Sequence, residues 1–539
     1  MSRERLSLFD TTLRDGAQCQ GVDFSVEDKR VIAQALDGLG IDYIEAGWPG
    51  ANPVDSAFFD DPPSLGRATL TAFGMTRRPG RSAANDPGLA ALFETTAGAV
   101  CLVGKSSGFH VEVALGVSEA ENLELIGDSI AAVVAARREA IFDAEHFFDG
   151  YKADPGYALR CLEAAQGAGA RWLVLCDTNG GTLPHEVERI VAEVVAAVPG
   201  EVPGERIGIH AHNDTGNAVA NTLAAVRAGA RQVHGTINGI GERCGNADLV
   251  SLIPTLLLKA DYGERFETGI SAESLKHLAQ VSRLVDELLN RAPDRQAPYV
   301  GASAFAHKAG LHVAAVEKDP RTYEHVPPES VGNAREVLVS NQSGRANILA
   351  RLREIGLEVE PGNPAVTRLL TQVKEREFEG YAYDGAEASF ELMARRALGE
   401  VPEYFAVEGF RVLVERRFNA KGELITVSEA TVKIVIDGEE LLSVGEGNGP
   451  VNALDTALRK DLGKYSAYLE DLRLVDFKVR ILNQQGTEAL TRVLVESANG
   501  AGERWFTVGV STNIVDASFQ ALLDSITYKL FHDGAPASA

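Results

Sequence analysis

Leu8-Phe9-Asp10-Thr11-Thr12-Leu13-Arg14-Asp15-Gly16-Ala17-Gln18 opens as a short apolar strand and closes as a polar turn. In that turn an arginine and an aspartate stand side by side, and Gly16 permits a tight exit. A second stretch, Ile207-Gly208-Ile209-His210-Ala211-His212-Asn213-Asp214, has the same form. Residues two apart in a strand point to one face. His210 and His212 therefore project together, as two ligands of one metal do. Asp15 and the two imidazoles make a divalent-metal donor set, provided a fold brings these strand ends to one place.

The intervening chain predicts such a fold. Short apolar runs bounded by polar or Gly-rich residues recur at Leu6–Thr11, Tyr43–Gly47, Thr69–Phe73, Ala99–Val103, Ala140–Ala144, Trp172–Cys176, Ile207–Ala211 and Gln232–Ile237. Helical patterns lie between them at Val26–Leu39, Pro87–Thr95, Glu119–Arg137, Pro155–Gln166, Pro184–Val198, Gly216–Ala228 and Ala247–Leu258, with Val54–Phe59 the least regular. Eight strand–helix units in about 260 residues predict an α/β fold, a (β/α)8 TIM barrel. An open doubly wound sheet would more often carry a Gly-rich phosphate turn after its first strand, and none is present. Barrel active sites form at the C-terminal ends of strands. Arg14 and Asp15, Glu145 and His146, Asp177-Thr178-Asn179, and His210 with His212 all fall at such ends.

The 539 residues exceed one ordinary domain. A formal charge of −24 argues against nucleic acid or anionic membrane as a partner. No apolar run reaches membrane-spanning length and no signal peptide fits the N-terminus, so the expected compartment is the cytoplasm. The five cysteines are scattered without a Cys-x-x-Cys pair, which argues against a disulfide framework and against an all-thiolate zinc site.

Residues 1–268 are assigned to the catalytic barrel, 269–405 to helical linker subdomains and 406–539 to a C-terminal α+β regulatory domain. In the linker, Ser271–Leu289, Arg345–Ile355, Pro364–Glu379 and Gly385–Leu398 read as helices, and Gly301–His312 is rich in small residues. The last domain contains an internal repeat. Strands Ala430–Ile436 and Glu440–Gly445, a polar turn and the helix Ala453–Leu462 correspond to strands Ala489–Glu496 and Arg504–Val510, a polar turn and the helix Ala517–Lys529.

Three protein ligands leave coordination positions open, so a metal at Asp15, His210 and His212 would be catalytic. Magnesium, manganese, zinc and iron all suit oxygen and imidazole donors. Such a metal chelates a 2-oxo acid and polarises its keto carbon. Arg14 is placed to stabilise the same oxygen as charge develops, and Glu145 is a candidate acid, base or polariser. Thr178 is a candidate donor to the substrate carboxylate, and Asn246 ligates the metal, orients a group near it or caps the last helix.

Phe9–Gly16, His210–Asn213, Gly241-Glu242-Arg243-Cys244-Gly245-Asn246-Ala247 and Phe305–His312 resemble the motifs of the 2-isopropylmalate, homocitrate and citramalate synthases, the metal-dependent Claisen-condensing barrels. The resemblance covers nearly the whole chain, including Gly447-Asn448-Gly449-Pro450-Val451 in the region similar to that family's allosteric domain. Gly104-Lys105-Ser106, Phe142–Tyr151, Cys176–Gly181 and Thr322–Val326 lie closest to the citramalate-forming branch.

That likeness implies condensation of acetyl-CoA with pyruvate and water to give (R)-citramalate and CoA, on a route to isoleucine. The alternative is 2-oxoisovalerate, the 2-isopropylmalate reaction of the leucine route. It further implies Asp15, His210 and His212 as ligands of Mn2+, Mg2+ or Zn2+ with Asn246 near the metal. Arg14 matches the keto-oxygen stabiliser, and Glu145 and Thr178 match the 2-oxo acid site. His312 matches the histidine that activates the acetyl-CoA methyl, with Tyr323 as its partner. A homodimer and feedback by an end-product amino acid, isoleucine in this branch, are implied as well. The chain departs from the isopropylmalate synthases at Ala314 and His146, where those carry acids.

Overall fold

The computed structural model describes residues 3–198, 200, 204–337, 345–360, 362–383, 385–418, 420–460, 462–482 and 489–538. Two compact units emerge: Met1–Phe305 with His325–Arg335, and Ala306–Glu324 with Glu336–Ala539.

The first unit is a closed barrel of eight parallel strands. They are β1 Ser7–Asp10, β2 Tyr43–Glu45, β3 Thr69–Met75, β4 Ala99–Lys105, β5 Glu139–Glu145, β6 Trp172–Asp177, β7 Ile207–Ala211 and β8 Gln232–Gly235. β1 pairs with β2 on one side and with β8 on the other, Ser7 opposite Gln232, which shuts the ring. Helices α1 Val26–Leu39, α2 Pro53–Asp60, α3 Pro87–Glu94, α4 Glu119–Ala135, α5 Pro155–Gly167, α6 Pro184–Ala197, α7 Ala218–Ala228 and α8 Leu249–Leu258 follow the strands in turn. The irregular segment after β2 is thus a helix, short and started by an Asn52 cap with Pro53 in its first turn.

Period-two alternation divides the strand residues between two cores. Leu8, Ile207, Ile209 and Ala211 face outward into the large core under the helices. Phe9, Phe73, Cys101, Ile141, Trp172 and Val174 fill the interior. A capping box starts α1: Ser25 Oγ accepts the Asp28 N–H at 3.1 Å, and the Asp28 carboxylate accepts the Ser25 N–H at 2.8 Å. The helix ends at Gly40, φ 105°, whose added Cβ would lie 2.5 Å from the Gly269 carbonyl oxygen.

From α1, the buried Lys29 donates to the carbonyls of Leu13 and Ala46 at 2.9 and 2.8 Å and pairs with Asp55. Asp55 in turn accepts the Trp48 N–H at 2.7 Å. One ammonium thus ties down the loops that leave β1 and β2. Lys29→Met strands the Asp55 charge in the interior, and urea unfolding should register a loss of about 3–5 kcal/mol. A change below 1 kcal/mol would reject this account.

In the second unit, helices Arg345–Glu354, Pro364–Phe378 and Glu387–Leu398 gather Ile348, Leu352, Val366, Leu369, Val373 and Phe390 into one cluster that Val508 completes. Two three-stranded antiparallel sheets follow. The first comprises β9 Ala406–Phe418, β10 Leu424–Ile436 and β11 Glu439–Gly447, with helix Pro450–Lys460; residue 461 of the expected helix lies outside the described residues. The second comprises β12 Arg473–Ile481, β13 Thr491–Ala498 and β14 Arg504–Ser511, with helix Ile514–His532.

The repeat is therefore three strands and a helix, not two strands and a helix. Its first strand escaped the sequence reading because β9 and β12 are edge strands, largely exposed, and charged along their length. The expected single helix Ser271–Leu289 is also two, Ala272–Leu275 and Leu278–Leu288. No helix among the described residues is long and apolar enough to cross a membrane.

Candidate active site at the C-terminal rim of the barrel

β7 delivers the two histidines as its alternation requires. Ile207, Ile209 and Ala211 take the outer face, which leaves His210 and His212 on the inner one. Asp15 arrives from the turn after β1. There Thr11 accepts three N–H groups: those of Arg14 and Gly16 at its carbonyl oxygen, 3.2 and 3.0 Å, and that of Asp15 at its hydroxyl, 3.2 Å.

Asp15 Oδ2 lies 3.2 Å from His210 Nε2 and 3.8 Å from His212 Nε2, and the two Nε2 atoms are 3.4 Å apart. All three residues are buried. Burial alone would raise the Asp15 pKa, but Arg14, His210 and His212 overcome it and hold the carboxylate ionised.

Asn246 joins them through a bridge between its backbone and that of His212. It does not cap the last helix; Asp248 does, accepting the Val250 N–H. Both polar atoms of the Asn246 side chain are buried with no hydrogen-bond partner among the described residues. A carboxylate, two converging imidazoles and an orphaned amide fit a divalent cation. A second grouping, Asp143, His210 and His234, has donors within the same reach. There, however, His234 is committed to Gln232 Oε1 at 3.0 Å and lies flat on Phe9, ring centroids 3.8 Å apart.

Gly245 makes the Asn246 placement possible. It sits at φ 86°, and an added Cβ would lie 1.9 Å from the Gly239 carbonyl oxygen. Gly245→Ala should shift Asn246 and weaken Mn2+ binding at least about 10-fold, as second-sphere changes at metal sites do. Calorimetric titration with Mn2+ that matches the parent protein would contradict this.

Arg14 is aimed by a residue the sequence reading passed over. Glu45, fully buried at the end of β2, accepts Arg14 Nε at 2.7 Å and the Thr11 hydroxyl at 2.6 Å. The guanidinium carbon also sits 3.9 Å above the Phe73 ring. Glu45 and Phe73 together hold the Arg14 plane toward the cavity. That cavity, about 320 Å³, is lined by Arg14, Asp15, His210 and His212 on its polar side, with Glu145 and Thr178. Trp48, Phe73, Met75 and Val103 form its apolar side.

Glu145 pairs with Lys105, and its other oxygen is 3.8 Å from His146 Nε2. His146 adopts φ 58° and stacks on His110, ring centroids 3.6 Å apart. Burial lowers the His146 pKa to about 4, so the ring is neutral near pH 7. Its backbone N–H donates to Thr178 Oγ1 at 2.8 Å, which sets the hydroxyl to donate its own proton to a ligand. Asp143, also passed over, is a buried residue that lines the same cavity, its pKa raised by burial. His312 and Tyr323 belong to the second unit, where their rings stack at 4.1 Å.

Three family models match successive parts of the chain. The HMGL-like family matches residues 5–285, the homocitrate synthase post-HMGL domain-like family 299–378, and the LeuA allosteric (dimerisation) domain 384–530. An (R)-citramalate synthase of Aquifex aeolicus is 49% identical over 98% of this chain and 98% of its own. One of Synechocystis is 50% identical over 97% of this chain and 96% of its own. A probable 2-isopropylmalate synthase of Methanopyrus kandleri is 34% identical over 97% and 98%.

Proposed function

This chain belongs to the (R)-citramalate synthases, within the HMGL-like family, and on that premise we propose how its residues divide the reaction. The reaction condenses acetyl-CoA with pyruvate and water, giving (R)-citramalate and CoA. The observation that carries the assignment of roles is the convergence of Asp15, His210 and His212 on one point beside a clamped Arg14.

Asp15, His210 and His212, with Asn246 beside them, would hold a divalent cation, Mn2+, Mg2+ or Zn2+. When bound, it supplies Lewis acidity toward a keto group. The Arg14 guanidinium, held by Glu45 and Phe73, faces the cavity where the keto oxygen gains negative charge and stabilises it without reorganising. Thr178 donates its hydroxyl proton to the pyruvate carboxylate. Glu145, screened by Lys105, lines the same cavity and orients the 2-oxo acid. The apolar side formed by Trp48, Phe73, Met75 and Val103 receives the pyruvate methyl.

His312, stacked on Tyr323, takes a proton from the acetyl-CoA methyl, and the enolate so formed attacks the keto carbon. Water then hydrolyses the thioester, which makes the sequence irreversible. Carbon–carbon bond formation in this scheme leaves the alkoxide facing Arg14. We further assign residues 384–530 to homodimer formation and to feedback by an end-product amino acid, isoleucine for this product, with the reaction in the cytoplasm.

The test is release of free CoA from acetyl-CoA by Mn2+-loaded protein with pyruvate, 2-oxobutyrate, 2-oxoisovalerate or 2-oxoglutarate. Pyruvate should exceed the others, and isoleucine should lower the rate. Preference for 2-oxoisovalerate would overturn the substrate assignment. An unchanged rate with isoleucine would overturn the effector.

A further inference from the structure

We propose that Arg243 is a positioning residue that holds the pyruvate-carboxylate site by locking four rim loops together; this rests on the reading of Thr178 as the carboxylate donor. Arg243 adopts φ 57°, a left-handed conformation that costs a residue with a Cβ strain and a glycine none. Strain of this kind persists where surrounding contacts impose it, and it collects at functional sites. Here the contacts are explicit. Nε and Nη2 grip the two oxygens of Asp214 at 2.8 and 2.9 Å, a bidentate fork. Nη2 also donates to the Thr178 carbonyl oxygen at 2.8 Å.

One guanidinium thus joins the loop after β8, which carries it, to the loops after β7 and β6. Thr178 extends the chain to the loop after β5, since its hydroxyl accepts the His146 N–H at 2.8 Å. The network is close-packed. An added Cβ at Gly180, φ 61°, would lie 2.4 Å from Asp214 Oδ2, and Thr215 Oγ1 donates to the Gly180 carbonyl at 2.8 Å. Thr178 and Glu242 line the cavity while Arg243 does not. Arg243 therefore acts through Thr178: it fixes the carbonyl end of the residue that presents the hydroxyl.

The discriminating variant is Arg243→Gly, which removes the guanidinium and relieves the backbone at once. In the intact Mn2+-loaded enzyme we expect the pyruvate KM to rise about 10-fold, as small misplacements of a binding group do. The melting temperature should hold or rise, and the acetyl-CoA KM and Mn2+ affinity should stay within about twofold, since neither rests on Thr178. Arg243→Lys, which keeps a charge but no fork, should fall between. Combined with Thr178→Ala, Arg243→Gly should add little further to the pyruvate KM. A lower melting temperature with unchanged KM values would overturn the proposal in favour of a purely structural role. Multiplicative effects in the double variant would overturn action through Thr178. Thr178→Ala with an unchanged pyruvate KM would overturn the carboxylate reading itself and the proposal with it.

Discussion

His210→Ala is expected to lower citramalate formation on the order of 10³-fold or more, about 4 kcal/mol of transition-state stabilisation, with the barrel still folded. His210 Nε2 is 3.2 Å from Asp15 Oδ2, the shortest contact in the Asp15, His210 and His212 trio. Its loss leaves one imidazole and one carboxylate, too few to hold a catalytic cation tightly. Asp15→Ala should do the same and also strip Arg14 of a neighbour 3.6 Å away. Both variants should lose calorimetric Mn2+ binding while keeping far-UV circular dichroism, because the outward side chains of β7 that pack under the helices are untouched. Full activity in either would refute the metal assignment. Removal of metal by chelation should abolish turnover in the parent protein and be reversed by Mn2+.

The second large effect falls on a residue that touches no substrate. Glu45→Gln should reduce kcat roughly 10²-fold, the scale of losing one preorganised donor at a developing charge. Glu45 is fully buried and forms a charge-assisted bond to Arg14, itself largely enclosed. With a neutral amide there, the guanidinium loses the partner that sets its direction. Glu45→Ala should in addition destabilise the fold by about 3–5 kcal/mol, because a buried cation loses its counter-charge. Both variants lose the counter-charge, so both unfolding curves should move, further for Glu45→Ala, which also opens a cavity, and kcat should fall for both. Unaltered kcat in Glu45→Gln would show that Arg14 needs no clamp.

Why Glu45 escaped notice in the sequence, and His210 did not, is a matter of where the signal lies. His-x-His in a strand carries its geometry locally, since alternation puts both rings on one side. Tyr43-Ile44-Glu45 shows only one acid at a strand end; its partner Arg14 is 31 positions away, and only ring closure reveals the pair. Asp143 is hidden likewise inside Phe142-Asp143-Ala144-Glu145, which reads as an apolar run with an acidic end. The eight barrel strands were legible because strands buried on both faces are nearly continuous apolar runs. β9 and β12 were not legible for the opposite reason: Arg411, Glu415, Arg416 and Arg417 in one, and Arg473, Asp476, Lys478 and Arg480 in the other, hide strand pattern under solvent-facing charge. Asn246 was read near its place, but the fact that its amide lacks a partner is visible only in three dimensions.

Closure of the ring also governs the order of events during synthesis. Ser7 finds Gln232, and Thr12 accepts the Ile237 N–H, across 225 positions of chain. At about 5–20 residues per second of translation, the first strand waits on the order of ten seconds or more for its second neighbour. Contacts of such separation form late, since loop-closure entropy opposes them until the rest has gathered. Asp15 leaves the first strand and His210 ends the seventh, so a growing chain holds the two halves of its metal site apart until the eighth strand has emerged. Cation capture and barrel completion are then one event. A chain interrupted before residue 232 would carry neither a closed ring nor a site able to hold the ion.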